Sequence, residues 1–438
     1  MVFRRMFLLV MLVVLLCGCG PSTVDQMYAV PRRSAEYLDL QLAIDDAMGG
    51  KEYCAPLSGE NRQSVQMADL DGDGRDEYLV FVRNRDDHTP QILIFNRDHS
   101  ECVLREVVVG RGAGFEQVEY ADIDGEPGME LVIGCRLSDQ VLRYLTVYSF
   151  CAGDAGQLMA ANYAKFLTTD LDSDGKTEVM VIAPGDSEEE NAVAALYRYT
   201  DGAMSRSRQA RLSEQSENIK RIMVSRLHGG TPAVYIASSV EESAIITDVF
   251  ALRDGEFTNV SLSSESGTSV QTLRNHYVYA VDIDGDATLE LPCLMDMVPV
   301  QNNTSSSTRH LIRWFAMNAD GADVEKLHTF HNFDGGWYVT LDKDWASRVS
   351  VTQEGGICTF YVWDEAYEKA EKLMTIYALT GSDRELDAES GDRFAIYKTD
   401  GVTYAAKLEV AAISCGLTQE NLTGSFHLIH MDWKTGET

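Results

Sequence analysis

The feature that most constrains this chain is a strand–loop–strand unit that returns at nearly constant spacing. It reads VQMADLDGDGRDEYLVFV from Val65, VEYADIDGEPGMELVIGC from Val118 and FLTTDLDSDGKTEVMVIA from Phe166. It recurs as RIMVSRLHGGTPAVYIAS from Arg221 and YVYAVDIDGDATLELPCL from Tyr277. Taking the first loop acid as reference, the units are anchored at 69, 122, 170, 225 and 282, with a serine at 225. A period of roughly fifty residues suits one four-stranded propeller blade. The second unit predicts all four strands, over 117–121, 129–136, 141–150 and 157–163. Turn sequences such as Cys151-Ala152-Gly153-Asp154 and Thr200-Asp201-Gly202 separate such strands. One twisted sheet cannot bury both of its faces, so the units must stack. The fold class expected is mainly β: a β-propeller of about five to six four-stranded blades over 61–330.

The loops carry the chemistry. Numbered from Asp69, acids fall at positions 1, 3 and 5 (Asp69, Asp71, Asp73), Gly74 is sixth, Arg75 offers a carbonyl at 7 and Glu77 is ninth. Hard oxygens in that number suit Ca²⁺, and no His or Cys lies among the acids to suggest zinc or copper. An EF-hand needs a bidentate Glu at position 12 and flanking helices; Val80 and Val181 stand there in the first and third loops, inside strand-like runs. The third loop is complete, with Asp170, Asp172, Asp174, Gly175, the Lys176 carbonyl and Glu178. The fifth has Asp282, Asp284, Asp286, the Thr288 carbonyl and Glu290, but Ala287 replaces the glycine. The second has Asp122, Asp124, Glu126 and Glu130, with Pro127 in the turn. The fourth, with Ser225, Leu227 and Gly229, has lost its acids and is expected to be metal-free. Calcium is thus the expected cofactor, in a structural role. It would turn carboxylate repulsion into a crosslink, and outside a cell even a Kd of about 10⁻⁴ M would serve.

The units ADLDGDGRDEYLVF and TDLDSDGKTEVMVI resemble FG-GAP or VCBS repeats. That resemblance, over roughly 61–330, implies an integrin-α-like β-propeller with calcium loops on one face. The whole chain is similar to repeat-containing lipoproteins of Gram-positive bacteria.

The chain begins MVFRRMFLLVMLVVLLCGCG, a basic start followed by a short apolar run, as in a secretory signal. Leu16-Cys17-Gly18-Cys19 resembles a lipobox, with Cys19 as the lipidated residue. The expected organisation is a signal over 1–19, a tether and short helix over 20–60, the propeller over 61–330 and a C-terminal α+β module over 331–438. The helix is read over 34–48 and a second short one over 365–373. Trp337, Tyr338 and Trp345 are read as core. The expected location is the extracytoplasmic face of the cell membrane, held by lipid. The net charge of −31 excludes nucleic acid as a partner. Outside the signal, seven cysteines at 54, 102, 135, 151, 293, 358 and 415 form no CxxC pair, so no disulfide framework is expected.

No HExxH, GxSxG or P-loop occurs. His328/His331 and His427/His430 are spaced to fall on opposite faces of a strand. Gly110, Gly112 and Gly114 read as a turn rather than a dinucleotide loop. The function expected is a non-enzymatic binding protein at the cell envelope, with a protein or glycan ligand. The alternative is a propeller-based hydrolase or lyase acting on cell-wall or extracellular polysaccharide.

Overall fold

The computed structural model describes residues 35–429 and 433, apart from 99–100, 138–142, 152–153, 188–189, 242–243, 276–277 and 299–308. The signal, the Cys19 lipidation position and the tether to residue 33 lie outside the described residues. Among the described residues no helix is long and apolar enough to cross a membrane.

The described residues are mainly β, arranged in six antiparallel sheets of four or five strands. The second runs Gly114–Ala121, Glu130–Arg136, Arg143–Ser149 and Gly156–Tyr163, each strand paired with the next. The first spans 51–109, the third 165–211 and the fourth 219–259. The fifth comprises Leu291–Met295, Arg309–Met317, Asp323–Asn332, Trp337–Leu341 and the late strand Phe426–Leu428. The sixth spans 349–408.

Side-chain alternation explains why the strands are apolar throughout. In Glu77–Asn84, Leu79 and Phe81 face the second sheet, while Val80 and Val82 meet Leu40 and Ile44 of helix Ala35–Ala47. Each sheet then packs on its successor. Phe81 meets Phe115 edge-on at 5.1 Å. Val132 and Val147 pack with Val179 and Val181, and Met180 and Ile182 with Val234 and Ile236. Tyr235 and Val249 pack with Leu291 and Phe315. Phe330 meets Phe360 of the sixth sheet at 4.9 Å. Each such large side chain, once buried, contributes roughly 1.5–3 kcal/mol. This succession is propeller-like. The helix covers the first sheet's remaining face, and among the described residues no apolar cluster joins the sixth sheet to the first.

Two expectations about the C-terminal part are corrected. The division at 330/331 cuts the strand Asp323–Asn332, whose sheet continues to Leu341 and takes Phe426 opposite Val339. Residues 331–438 therefore complete the fifth sheet as well as forming the sixth, and one core joins the two. The helix expected over 365–373 is instead a turn, with Tyr367 at φ 56°, leading into the strand Ala370–Leu379. Pairing with Ile357–Trp363 and burial of Leu373 and Met374 override a local helical preference. Trp337, Tyr338 and Trp345 are buried, as read.

Candidate metal centres

Four of the five loops share one frame. The second position is apolar in four of the five: Leu70, Ile123 and Leu171 are fully enclosed and Ile283 is partly buried, while the fourth unit has Arg226 there and encloses Leu227 at the third position. Sinking that side chain turns its backbone N–H inward. The N–H meets the carboxylate of the ninth-position glutamate, which opens the next strand. Leu70 donates to Glu77 at 2.8 Å, Ile123 to Glu130 at 2.7 Å, Leu171 to Glu178 at 2.8 Å and Ile283 to Glu290 at 3.1 Å. The first acid ties the turn: Asp69 accepts from Gly72 and Gly74, and Asp282 from Gly285 and Ala287. The turn needs left-handed backbone at positions 4 and 6, supplied by Gly72 and Gly74, by Ser173 and Gly175, and by Gly285 and Ala287.

The structure brings together only part of each predicted ligand set. Oxygens of Asp69, Asp71 and Glu77 lie within 4.8 Å of one another, as do those of Asp170, Asp172 and Glu178, and of Asp282, Asp284 and Glu290. The fifth-position acids Asp73, Asp174 and Asp286 stand outside these groups. Each accepts from the N–H two residues on, at Arg75, Lys176 and Thr288, at 2.8 Å. In the second loop the group is Asp124, Glu130 and Cys151; Asp122 and Glu126 are outside it.

Sequence reading missed two kinds of residue here. Cys151 was absorbed into a turn. The other kind is a cation from a later strand of the same sheet. Arg105 pairs with Asp71 at 2.7 Å and Arg198 with Asp172 at 3.3 Å. Lys326 reaches Asp284 at 3.4 Å, Glu290 at 3.7 Å and also Asp286. A basic residue alternating outward on a third or fourth strand was the only available signal.

The electrostatics favour a cation. Burial, reinforced by neighbouring acids, pushes Glu178 and Glu290 up to about 7 against the backbone N–H that each accepts. Burial also raises Glu77 and Glu130. Asp170 Oδ1, Glu130 Oε1 and Glu290 Oε1 are enclosed without a hydrogen bond. Enclosed carboxylate oxygens that accept no hydrogen bond, beside further acids, fit a hard divalent ion, with Lys326 already 3.7 Å from the one on Glu290.

The loops stand in a row. Met129 N–H, eighth in the second loop, donates to the Asp69 carbonyl at 2.9 Å, and Thr177 N–H, eighth in the third, to the Asp122 carbonyl at 2.7 Å. The eighth residue of the fourth unit is Pro232, which has no N–H to continue the series. Gly72 lies so close to the second loop that a Cβ there would sit 2.3 Å from the Pro127 oxygen. Away from this row, a cleft of about 700 Å³ opens beside the third and fourth sheets, lined by Asp186, Ser187, Glu190, Gln215, Ser216 and Glu217 among others. His328 and His331 are buried within one strand, and the Gly110–Gly114 turn leads into a strand, not a helix.

No protein-family model matches the chain, and no curated protein matches it. Among solved structures, a protein from Lactobacillus plantarum is 12% identical, covering 73% of this chain and 86% of its own, with a TM-score of 0.27. Bacillus licheniformis rhamnogalacturonan lyase is 12% identical over 65% of this chain and 63% of its own, TM-score 0.32. The Dos1 propeller is 9% identical over 81% of both chains, TM-score 0.29.

Proposed function

We propose that this protein is a calcium-stapled, propeller-like binding protein, held at the outer face of the cell membrane through Cys19, that takes a hydroxyl-rich glycan in the cleft beside its third and fourth sheets. The observation that carries the reading is the shared frame of the acidic loops. Their first and ninth carboxylates are committed to backbone N–H groups of their own turns, which supports a stapling ion rather than a reacting one. The acids of the FG-GAP-like loops then leave the cleft as the surface for recognition. Its carboxylates, hydroxyls and amide suit sugar hydroxyls, and its acidic lining disfavours anions.

The second reading, a polysaccharide hydrolase or lyase, draws on the two carboxylates Glu190 and Glu217 in that cleft. Purified cell-wall polysaccharide incubated with the full chain separates the readings. Retention of the polysaccharide unchanged, lost in Glu217→Gln, fits binding. Release of new reducing ends or unsaturated sugars fits catalysis. No retention and no product removes the cleft from both.

A further inference from the structure

The second loop differs from its neighbours in a way that changes the ion it suits. Its ligand group swaps the first-position aspartate for a thiol: Asp124, Glu130 and Cys151, in place of the three-carboxylate sets of loops one, three and five. Asp122 is turned to the turn itself, accepting from Gly125 N–H at 2.9 Å. Pro127 replaces a residue that could donate within the loop. Loops one, three and five each hold an Arg or Lys against their acids, whereas among the described residues no ion pair involves Asp124 or Glu130. The nearest ammonium, Lys176, donates to the Asp124 backbone carbonyl at 2.6 Å and to neither carboxylate.

An independent feature points into this group. Glu130 is fully enclosed; its Oε2 takes the N–H groups of Ile123 and Asp124, and its Oε1 takes none. Cys151 Sγ lies 3.8 Å from Asp124 Oδ2 and 3.6 Å from the Pro127 oxygen. A tetrahedral zinc site, with Zn–S near 2.3 Å and Zn–O near 2.1 Å, places sulfur and oxygen ligands about 3.6 Å apart. Calcium asks instead for six to eight oxygens, which a loop with two grouped carboxylates and a sulfur does not offer. We infer that the second loop is a site for a thiophilic divalent cation such as zinc, held by Cys151 Sγ, Asp124, Glu130 and the Pro127 carbonyl. Binding would displace the thiol proton to solvent and leave a thiolate on the metal. The inference stands apart from calcium in the other loops.

The test uses the full chain, reduced and stripped of metal, titrated with zinc against a chromophoric chelator, and with cadmium for its thiolate charge-transfer absorption. Cys151→Ser is the informative variant because Cys151 is exposed and its loss leaves the core intact. The wild type should bind one more zinc than the variant. The variant should weaken that site at least about tenfold, since even changes around a metal's ligands cost that much. It should also lose the corresponding part of the cadmium band, and millimolar calcium should not displace the zinc. Asp172→Asn, in the third loop, should leave zinc affinity unchanged, so that a failure of calcium binding there is read separately. Equal zinc binding by wild type and Cys151→Ser, or ready displacement by calcium, overturns the inference.

Discussion

The third and fourth units begin alike and close differently. Both bury a leucine in the loop, Leu171 at the second position and Leu227 at the third, and both run into an enclosed strand. The third holds its turn with Asp170 and Glu178. The fourth does it with backbone: Leu227 N–H to the Thr231 carbonyl at 2.7 Å, Gly230 N–H to the Leu227 carbonyl at 2.9 Å, and the Arg226 guanidinium to the Gly230 carbonyl. The buried leucine and the left-handed turn therefore suffice to make the unit, and the acids are an addition to it. The fourth sheet places its buried carboxylate elsewhere. Asp248 accepts from Ser213 N–H and Oγ, Asn259 Nδ2 and Ser269 Oγ at 2.6–2.9 Å, tying the irregular segment after Asn259 to the sheet. One unit carries a carboxylate satisfied by protein donors; the other carries carboxylates short of partners.

The sharpest way to break this contrast is Asp248→Ala. It removes the shared acceptor of four enclosed donors, orphaning Ser213 N–H while Asn259 and Ser269 keep bonds to Arg211 and Ser261, and should lower unfolding stability by about 2–4 kcal/mol. The loss should be the same with calcium or with chelator, because no acidic loop is involved. Denaturant unfolding under both conditions measures it. A loss of under about 1 kcal/mol, or one that calcium restores, would place the fourth sheet on the same footing as the third.

A smaller effect is expected from pH, and calcium should partly offset it. Glu178 and Glu290 stand near 7 in the folded chain, above the usual carboxylate value near 4.3 when unfolded. Without metal the folded state holds their protons more tightly. That contribution is fully present below the unfolded value and is lost as pH rises through about 7. Metal-free protein should therefore lose on the order of 2 kcal/mol per glutamate between pH 5 and pH 8. Calcium favours the ionised form and should stabilise more at pH 8 than at pH 5; a tenfold excess over Kd is worth about 1.4 kcal/mol per site. Thermal unfolding at the two pH values, with calcium and with chelator, gives all four corners. A chelator effect that is equal at both pH values would detach these glutamates from the ion.

The mainly β fold was legible because an apolar loop residue and the flanking strand residues recur at nearly constant spacing. That pattern is local, and a local pattern survives in the sequence. What failed was not local. The boundary at 330/331 was drawn where the acidic loops stop, but the fifth sheet is finished by Phe426–Leu428, a partner more than eighty residues from Leu341. The stretch 365–373 has helical composition, yet its neighbour Ile357–Trp363 claims its end as a strand. In the loops, Glu77, Glu178 and Glu290 were found by spacing and do gather with the first and third acids. The fifth-position acids stand outside those groups, each with one oxygen turned to the N–H two residues on. Arg105, Arg198 and Lys326 were invisible, since only strand pairing brings them to the loops.

The smallest predicted effect sits in the fifth loop, which lies between the two extremes. It keeps its acids, but Lys326 spans three of them, and Ala287 occupies the sixth position at φ 66°, with nothing in the loop's frame altered by the missing glycine. Its N–H still reaches Asp282 at 2.9 Å. The left-handed backbone is thus imposed on an alanine by that carboxylate and by the buried strand behind it, at a strain of about 1–2 kcal/mol. Ala287→Gly should release that strain, less the added freedom of glycine in the unfolded chain, for a net gain of about 0.5–1 kcal/mol. The same change at a right-handed position would destabilise, so the sign alone tests the turn. If Ala287→Gly lowers the unfolding midpoint, the fifth loop does not share the backbone of the first and third, and it belongs with the fourth unit as a turn closed without the acidic frame.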